Sequence, residues 1–393
     1  MKHRTITRPN ELARFCEDLA REPSIAIDTE FVAEHTYRPV LCLVQVATRE
    51  QLVLIDTMAL PEVTAFWRVV AEGDHETIIH AARSELEFCF EAVGTLPAKL
   101  FDVQIAAGLI GGEYPAGYNA LIGRLLGEKP GKHETRTDWR RRPLTQRQVA
   151  YALDDVRFLH PLRDTIRAAL ERLNRVAWLE EEMLAVREEF LAAESRERWR
   201  RVSGIAGLKP RQLAVVRALW QWRSAEADRR NKPARYVLRD DLIIEMARRA
   251  STDPAQILSV RGMDRGDLRR RVGELAAAVS QALELPEEEL PQPARRERTQ
   301  DYSVLGQFLY AALGSLCREA QLAPALVGTQ NDIRDLIAHD TADPKRSLRV
   351  PRLARGWRAE FVGRLFDDLL AGQVAVRVAD ARSDSPLQFE RGA

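Results

Sequence analysis

Two pairs of residues in this chain have the types and spacing for chemistry. In "IAIDTEF", Asp28 and Glu30 stand two apart at the end of an apolar run. In an extended strand, residues two apart point to the same side. Two carboxylates held side by side repel, and a bound cation is the natural relief. In "YALDDVRFL", Tyr151 and Asp155 stand four apart on a helical pattern, which stacks both on one face about one turn apart. Read singly, each has a bland role: an acidic turn after a strand, a half-buried aromatic, a solvated helix charge. Together they offer oxygen ligands for divalent ions and a phenol able to orient water.

The elements that must position them alternate in type up to about residue 190. "SIAIDTEFV", "CLVQVAT", "QLVLIDT" and "TIIHA" read as strands. "PEVTAFWRVVAEG", "SELEFCFEAVG" (opened by Ser84 as N-cap) and "LTQRQVAYALDDVRFLHPLRDTIRAALERL" read as helices. The last has Thr145 as its cap and a kink or break at Pro161. Strands interleaved with helices predict an α/β sheet domain. Beyond about residue 175 the strand signals vanish. A charged helical connector leads to two all-helical segments, with "PEEELPQPARRERTQ" between them as an exposed linker. The polar tail after residue 370 reads as loosely ordered.

The first strand's DxE and the late Y-x3-D resemble the DEDD family of 3′→5′ exonucleases, in its tyrosine-bearing branch. "DTEF…CLVQVAT", "HAARSELEF", "LFDVQIAA" and "ETRTDWRRRPLTQRQVAYALDDVRFL" follow one another as in ribonuclease D. "LKPRQLAVVRALWQWRSAEADRRNKPARYVLRDDLIIEMARRASTDPAQILSVRGM" is similar to an HRDC domain. The resemblance implies an α/β ribonuclease H-like exonuclease domain over residues 1–190, a mixed sheet with flanking helices. All-α modules would follow: HRDC over 208–287, and a diverged HRDC-like copy over 301–375. By the same resemblance, Asp28, Glu30 and Asp155 hold two divalent ions, Mg²⁺ or Mn²⁺, which neutralise the attacking and leaving oxygens of a phosphodiester. Tyr151 positions or helps deprotonate the attacking water. Its ordinary pKa of about 10 makes orientation the easier task.

The chain departs from the family at its second motif. Where an aspartate is usual, ungapped "HAARSELEF" puts Glu85, which keeps the charge but adds a methylene. A misplacement of about 1 Å costs on the order of 100-fold in rate at such sites, so Glu85 is expected to serve through water if it serves at all. Glu87 points elsewhere, and Asp102 is expected to brace the following helix. His133 reads as a loop residue and Gln45 as an internal sheet residue.

Substrate grip is expected from basic residues. Lys129 to Arg147 holds seven Lys/Arg against two acids, and Lys132, Arg136, Arg140, Arg141 and Arg142 are the phosphate-binding candidates. In the first helical module fifteen Lys/Arg face six acids between Arg196 and Arg249, where Tyr236, Arg235 and Lys232 share a Pro-containing loop suited to base stacking. Trp220 and Trp222 cannot share a helix face, so at least one is core. Trp357 with Arg355 and Arg358 is a further candidate contact surface.

The chain of 393 residues is 45% hydrophobic and 30% charged with a net charge of +1, so any pull on nucleic acid is local. Four scattered cysteines read as reduced thiols, and no apolar run spans a membrane. We expect a cytoplasmic, monomeric 3′→5′ exoribonuclease trimming 3′ ends of structured RNA, such as transfer RNA precursors, to 5′-monophosphates. Two alternatives stand: a nucleic-acid-binding protein inactivated through Glu85, and a DNA 3′→5′ exonuclease.

Overall fold

The computed structural model describes residues 2–129, 131, 137–195, 197–293, 303–340 and 350–391. It divides into two units, one of Met1–Glu30, Leu41–Phe190 and Arg298–Ala393, the other of Phe31–Val40 and Leu191–Glu297.

The apolar runs of the first unit become a sheet buried on both faces, as continuous Val, Ile and Leu require. Its strands and helices are β1 (Lys2–Ile6), α1 (Pro9–Leu19), β2 (Ser24–Val32), β3 (Val40–Ala47), β4 (Gln51–Ile55), α2 (Thr64–Glu72), β5 (Glu76–Ile79), α3 (Arg83–Val93), β6 (Lys99–Asp102), α4 (Val103–Gly108), α5 (Tyr118–Leu126), α6 (Gln146–Arg157), α7 (Leu159–Arg172) and α8 (Val176–Ser195). The strand order is β1-β4-β3-β2-β5-β6. β3 runs antiparallel to β4, while β1 with β4, β2 with β5 and β5 with β6 are parallel. This is the expected mixed sheet. β1 is an element the sequence reading lacks; "KHRTI" is short, polar and placed at an edge.

Two helix boundaries differ from expectation. α3 starts at Arg83 behind Ala82, without a side-chain cap, so Ser84 does not open it. The orphan amides there are met from across the sheet: Asp102 accepts from the backbone N–H of Ala81 (3.2 Å), Ala82 (3.0 Å) and Gln104 (2.9 Å). One carboxylate thus holds Ala81 in a left-handed turn (φ +59°) and caps α4. The second difference concerns Pro161. The break falls at Phe158, which ends α6 and precedes α7, and the proline occupies the first turn of α7 where its missing N–H does no harm.

The second unit is helical: α9 (Pro210–Arg230), α10 (Ala234–Val237), α11 (Asp240–Arg249), α12 (Pro254–Leu258), α13 (Gly266–Arg269) and α14 (Val272–Leu283). Leu213, Val216, Leu219, Ile243, Met263 and Val279 are among its buried core. Trp199 is buried, and Trp220 and Trp222 pack partly buried against that core. Gly262, in the "SVRGM" turn, has φ +100°, a conformation that glycine adopts without steric cost.

The chain then returns to the first unit with α15 (Ser303–Glu319), α16 (Pro324–Val327), α17 (Gln330–Asp340), α18 (Gly356–Arg358) and α19 (Arg364–Leu370). The expected loose tail is instead an antiparallel ribbon of β7 (Val374–Val378) and β8 (Leu387–Arg391). Trp357 and Arg358, read as a contact surface, are buried. Trp357 stacks on Trp178 (4.8 Å between ring centres) and donates its indole N–H to Glu182 (2.8 Å). Arg358 pairs with Glu182 and donates to the carbonyls of Leu326 (2.7 Å) and Val327 (2.8 Å). Only Arg355 of that trio is exposed. Among the described residues no helix is long and apolar enough to cross a membrane, and all four cysteines are buried and outside disulfides.

Candidate active site

β2 carries its apolar residues into the core and then its two carboxylates, so Asp28 and Glu30 emerge half-buried beyond the pairing with β5, which ends at Ala26. α6 supplies the other half. Thr145 and Gln148 close a capping box, with the Thr145 hydroxyl accepting from Gln148 N–H (3.2 Å) and the Gln148 side chain accepting from Thr145 N–H (2.9 Å). Gln148, Ala152, Leu153 and Val156 bury one face of the helix, which leaves Tyr151 and Asp155 along its flank.

Asp28, Tyr151 and Asp155 line one cavity of about 170 Å³, together with Ile27, His80, Tyr118 and Leu159. Tyr151 donates its hydroxyl to Asp155. The second oxygen of Asp155, Oδ2, is buried without a hydrogen-bond partner. The Tyr151 ring leans on buried Trp139, 6.1 Å between centres. Residues 123 positions apart in sequence, Asp28 and Tyr151, thus share a wall.

Glu30 and Glu85 do not line that cavity but act on it through charge. Glu85 is buried in the first turn of α3 and accepts a 2.6 Å hydrogen bond from the Thr29 hydroxyl. Burial, followed by the charges of Glu85, Asp155 and Glu30, raises the Asp28 carboxyl well above its ordinary range. Burial and then Asp155 and Glu85 push Glu30 to about 8. Burial likewise raises Asp155 and Glu85, although the bonds from Tyr151 and Thr29 oppose the shift. Burial and neighbouring carboxylates also raise the Tyr151 phenol, which makes it a firm proton holder. Four acids that resist ionisation together form a site short of positive charge.

A hard divalent cation fits that deficit. The available donors are all carboxylate oxygens, one of them orphaned, and Mg²⁺ prefers oxygen while keeping several waters. Among the described residues no three Asp, Glu, His or Cys side chains form a preformed metal cage.

The basic candidates divide. Lys132, Arg136 and His133 lie outside the described residues. Arg140 forks onto Asp138 (2.9 and 3.1 Å), and Arg141 is exposed. Arg142 departs from its expected role. It forks onto Asp56 (2.6 and 2.7 Å) and donates to the carbonyls of Trp139, Arg141 and Cys42, so its donors serve the fold. In the second unit Lys232, Arg235 and Tyr236 are all exposed, with the Arg235 guanidinium 5.1 Å over the Tyr236 ring. Glu87 pairs with Arg83 (3.1 Å), and Gln45 is fully buried with neither amide atom hydrogen-bonded. Sequence reasoning missed His80 and Tyr118. The available signal for His80 was its position at the carboxyl end of a parallel strand, where open α/β sheets bind ligands.

Residues 3–171 match the 3′-5′ exonuclease family model, and residues 212–279 match the HRDC domain. The chain is 32% identical over 380 residues to ribonuclease D of Nitrobacter hamburgensis, covering 96% of this chain and 97% of that one. It is 34% identical over 371 residues to ribonuclease D of Gluconacetobacter diazotrophicus, covering 93% and 91%. Its fold is similar to that of Escherichia coli RNase D, described as an exoribonuclease involved in structured RNA processing. The TM-score is 0.78 at 29% identity, over 95% of this chain and 99% of that one.

Proposed function

The chain belongs to the ribonuclease D family of 3′→5′ exoribonucleases, and from that premise we propose that Asp28, Glu30, Asp155 and Tyr151 are its catalytic residues. The observation that carries the assignment is the cavity shared by Asp28, Tyr151 and Asp155. Two divalent ions, Mg²⁺ or Mn²⁺, bound to these carboxylates would neutralise charge on the attacking and leaving oxygens of the phosphodiester. Asp28, Glu30 and Asp155 present oxygen ligands whose raised pKa values fall when positive charge arrives. Tyr151, anchored on Asp155, orients the attacking water rather than stripping it, because its own proton is held too tightly. Glu85 acts from behind Thr29, through water.

RNA is the substrate. We propose 3′ ends of structured RNA such as transfer RNA precursors, released as 5′-monophosphates by a monomeric cytoplasmic enzyme. Arg140, Arg141 and the Lys232–Tyr236 loop are the proposed grips. Residues 1–190 are proposed as the catalytic domain, 208–287 as HRDC, and 301–375 as the diverged HRDC-like module. The test is mononucleotide release from labelled single-stranded RNA with Mg²⁺ or Mn²⁺, beside a matched DNA strand. Asp28→Asn should abolish release; an undiminished Asp28→Asn enzyme overturns the assignment.

One observation favours a second reading, a binding protein without catalysis: Glu85 is spent on Thr29 and stands off the cavity. A silent native chain that gains activity as Glu85→Asp would establish it.

A further inference from the structure

His80 is a lining residue that the mechanism does not use. Its Nε2 lies 2.9 Å from the carbonyl oxygen of Ala116. A carbonyl only accepts, so Nε2 must carry the hydrogen. Gln104 Nε2 reaches the same carbonyl at 2.9 Å, and its 3.5 Å approach to His80 Nε2 is then a contact between two donors, not a bond. In the neutral imidazole this tautomer leaves Nδ1 as a bare acceptor, with no partner among the described residues. The Tyr118 ring leans on the imidazole, 5.5 Å between centres, and holds its orientation.

The other polar groups of the cavity are committed. Asp28 and Asp155 are the cation ligands of the proposed reaction. Tyr151 gives its hydrogen to Asp155, and Tyr118 gives its own to the carbonyl of Asp154 (3.2 Å). Nδ1 of His80 is therefore the neutral acceptor that an incoming ligand meets. It cannot bind an ionised phosphate oxygen, which has no hydrogen to give. At about 170 Å³ the cavity is small beside the about 300–1,000 Å³ that encloses whole ligands, so it admits part of a nucleotide. The donors on a sugar are its hydroxyls.

We propose that His80 determines specificity by accepting, at Nδ1, a hydrogen bond from a ribose hydroxyl of the 3′-terminal nucleotide. The inference rests on the nuclease reading and adds to it a reason for choosing RNA. The 2′ and 3′ hydroxyls share this chemistry, and substrate design separates them.

The experiment uses the full chain with Mn²⁺ and one RNA sequence carrying a ribo, a 2′-deoxy or a 3′-deoxy terminal nucleotide. Native protein should remove one deoxy terminus about tenfold more slowly than the ribo terminus, the scale of one neutral hydrogen bond, which identifies the hydroxyl. His80→Ala should slow the ribo terminus by the same factor and erase the discrimination. Equal native rates on all three termini overturn the proposal, whatever the fate of the variant. So does a variant slowed equally on every terminus, which marks a structural role. If no oligonucleotide is cut, the nuclease reading fails separately. Terminal-hydroxyl dependence of binding affinity, measured on the same series with native protein and His80→Ala, then decides His80 by the same criteria.

Discussion

Thr29 donates its hydroxyl to Glu85 across 2.6 Å, tying the unusual glutamate to the strand that bears Asp28 and Glu30. The extra methylene therefore does not leave the carboxylate adrift. Glu85→Gln keeps an acceptor for Thr29 but removes the charge. Its expected effect is a 10–100-fold loss of kcat/KM in an intact fold, the usual scale for a group acting behind metal ligands. Steady-state rates beside a melting curve check it; an unchanged rate would remove Glu85 from the site.

Acidity and metal should act on stability in opposite directions. Burial first, and then neighbouring carboxylates, raise the four carboxyl groups in the folded state, Glu30 to about 8, whereas unfolded they titrate near 4. Between those values the folded chain binds more protons than the unfolded one, so stability must fall as pH rises from about 4.5 to about 8. In EDTA, Tm should drop through that window. The Tm gained on adding Mn²⁺ should be larger at about pH 8 than at about pH 5. A gain that shrinks with pH contradicts the site as described.

Tyr151→Phe retains the ring against Trp139 and removes only the hydroxyl that Asp155 accepts. We expect kcat to fall about 100-fold or more with little change in KM, as for a lost water-orienting group. A rise in KM alone would mean that the tyrosine binds substrate instead.

Neighbouring arginines should separate cleanly. Arg142 is about a quarter exposed and Asp56 almost buried, so Arg142→Ala leaves a carboxylate without its partner. The expected cost is about 3 kcal/mol, at the lower edge for a broken buried pair because solvent screens part of it. Arg141→Ala should leave Tm unchanged and weaken RNA binding evenly across sequences, lowering the salt slope by about 1. Melting curves and salt titrations of both variants distinguish a brace from a grip.

Tyr236→Ala is expected to weaken binding of single-stranded RNA by about 1–3 kcal/mol without loss of fold, because the ring is exposed and carries Arg235 on its face. Equal affinity would show that the loop faces solvent only.

What could be read from residue order followed from local geometry. Asp28 with Glu30 and Tyr151 with Asp155 are legible because strand and helix periods fix which side chains align. The Thr145 cap is equally local. The misreadings came from partners distant in sequence. Ser84 looked like a cap because nothing near it announces that Asp102 meets those amides. Trp357 and Arg358 looked like a surface because Glu182, well over a hundred residues earlier, is invisible to a local window. "KHRTI" and "LQFER" escaped notice as strands because they are short and largely polar, and "VAVRV" because it is a lone five-residue run at the head of a polar tail. His80 is a single residue without a motif, and only its neighbours give it meaning.

Glu182 has a consequence for how this protein can change over evolutionary time. A lineage that shed the chain beyond α14 would take Arg358 and the Trp357 indole from Glu182 together, and would open to water the face of α8 that they cover. Descent toward a shorter enzyme therefore bears first on Trp178, whose ring would lose Trp357 and face solvent, while Glu182 itself would be hydrated.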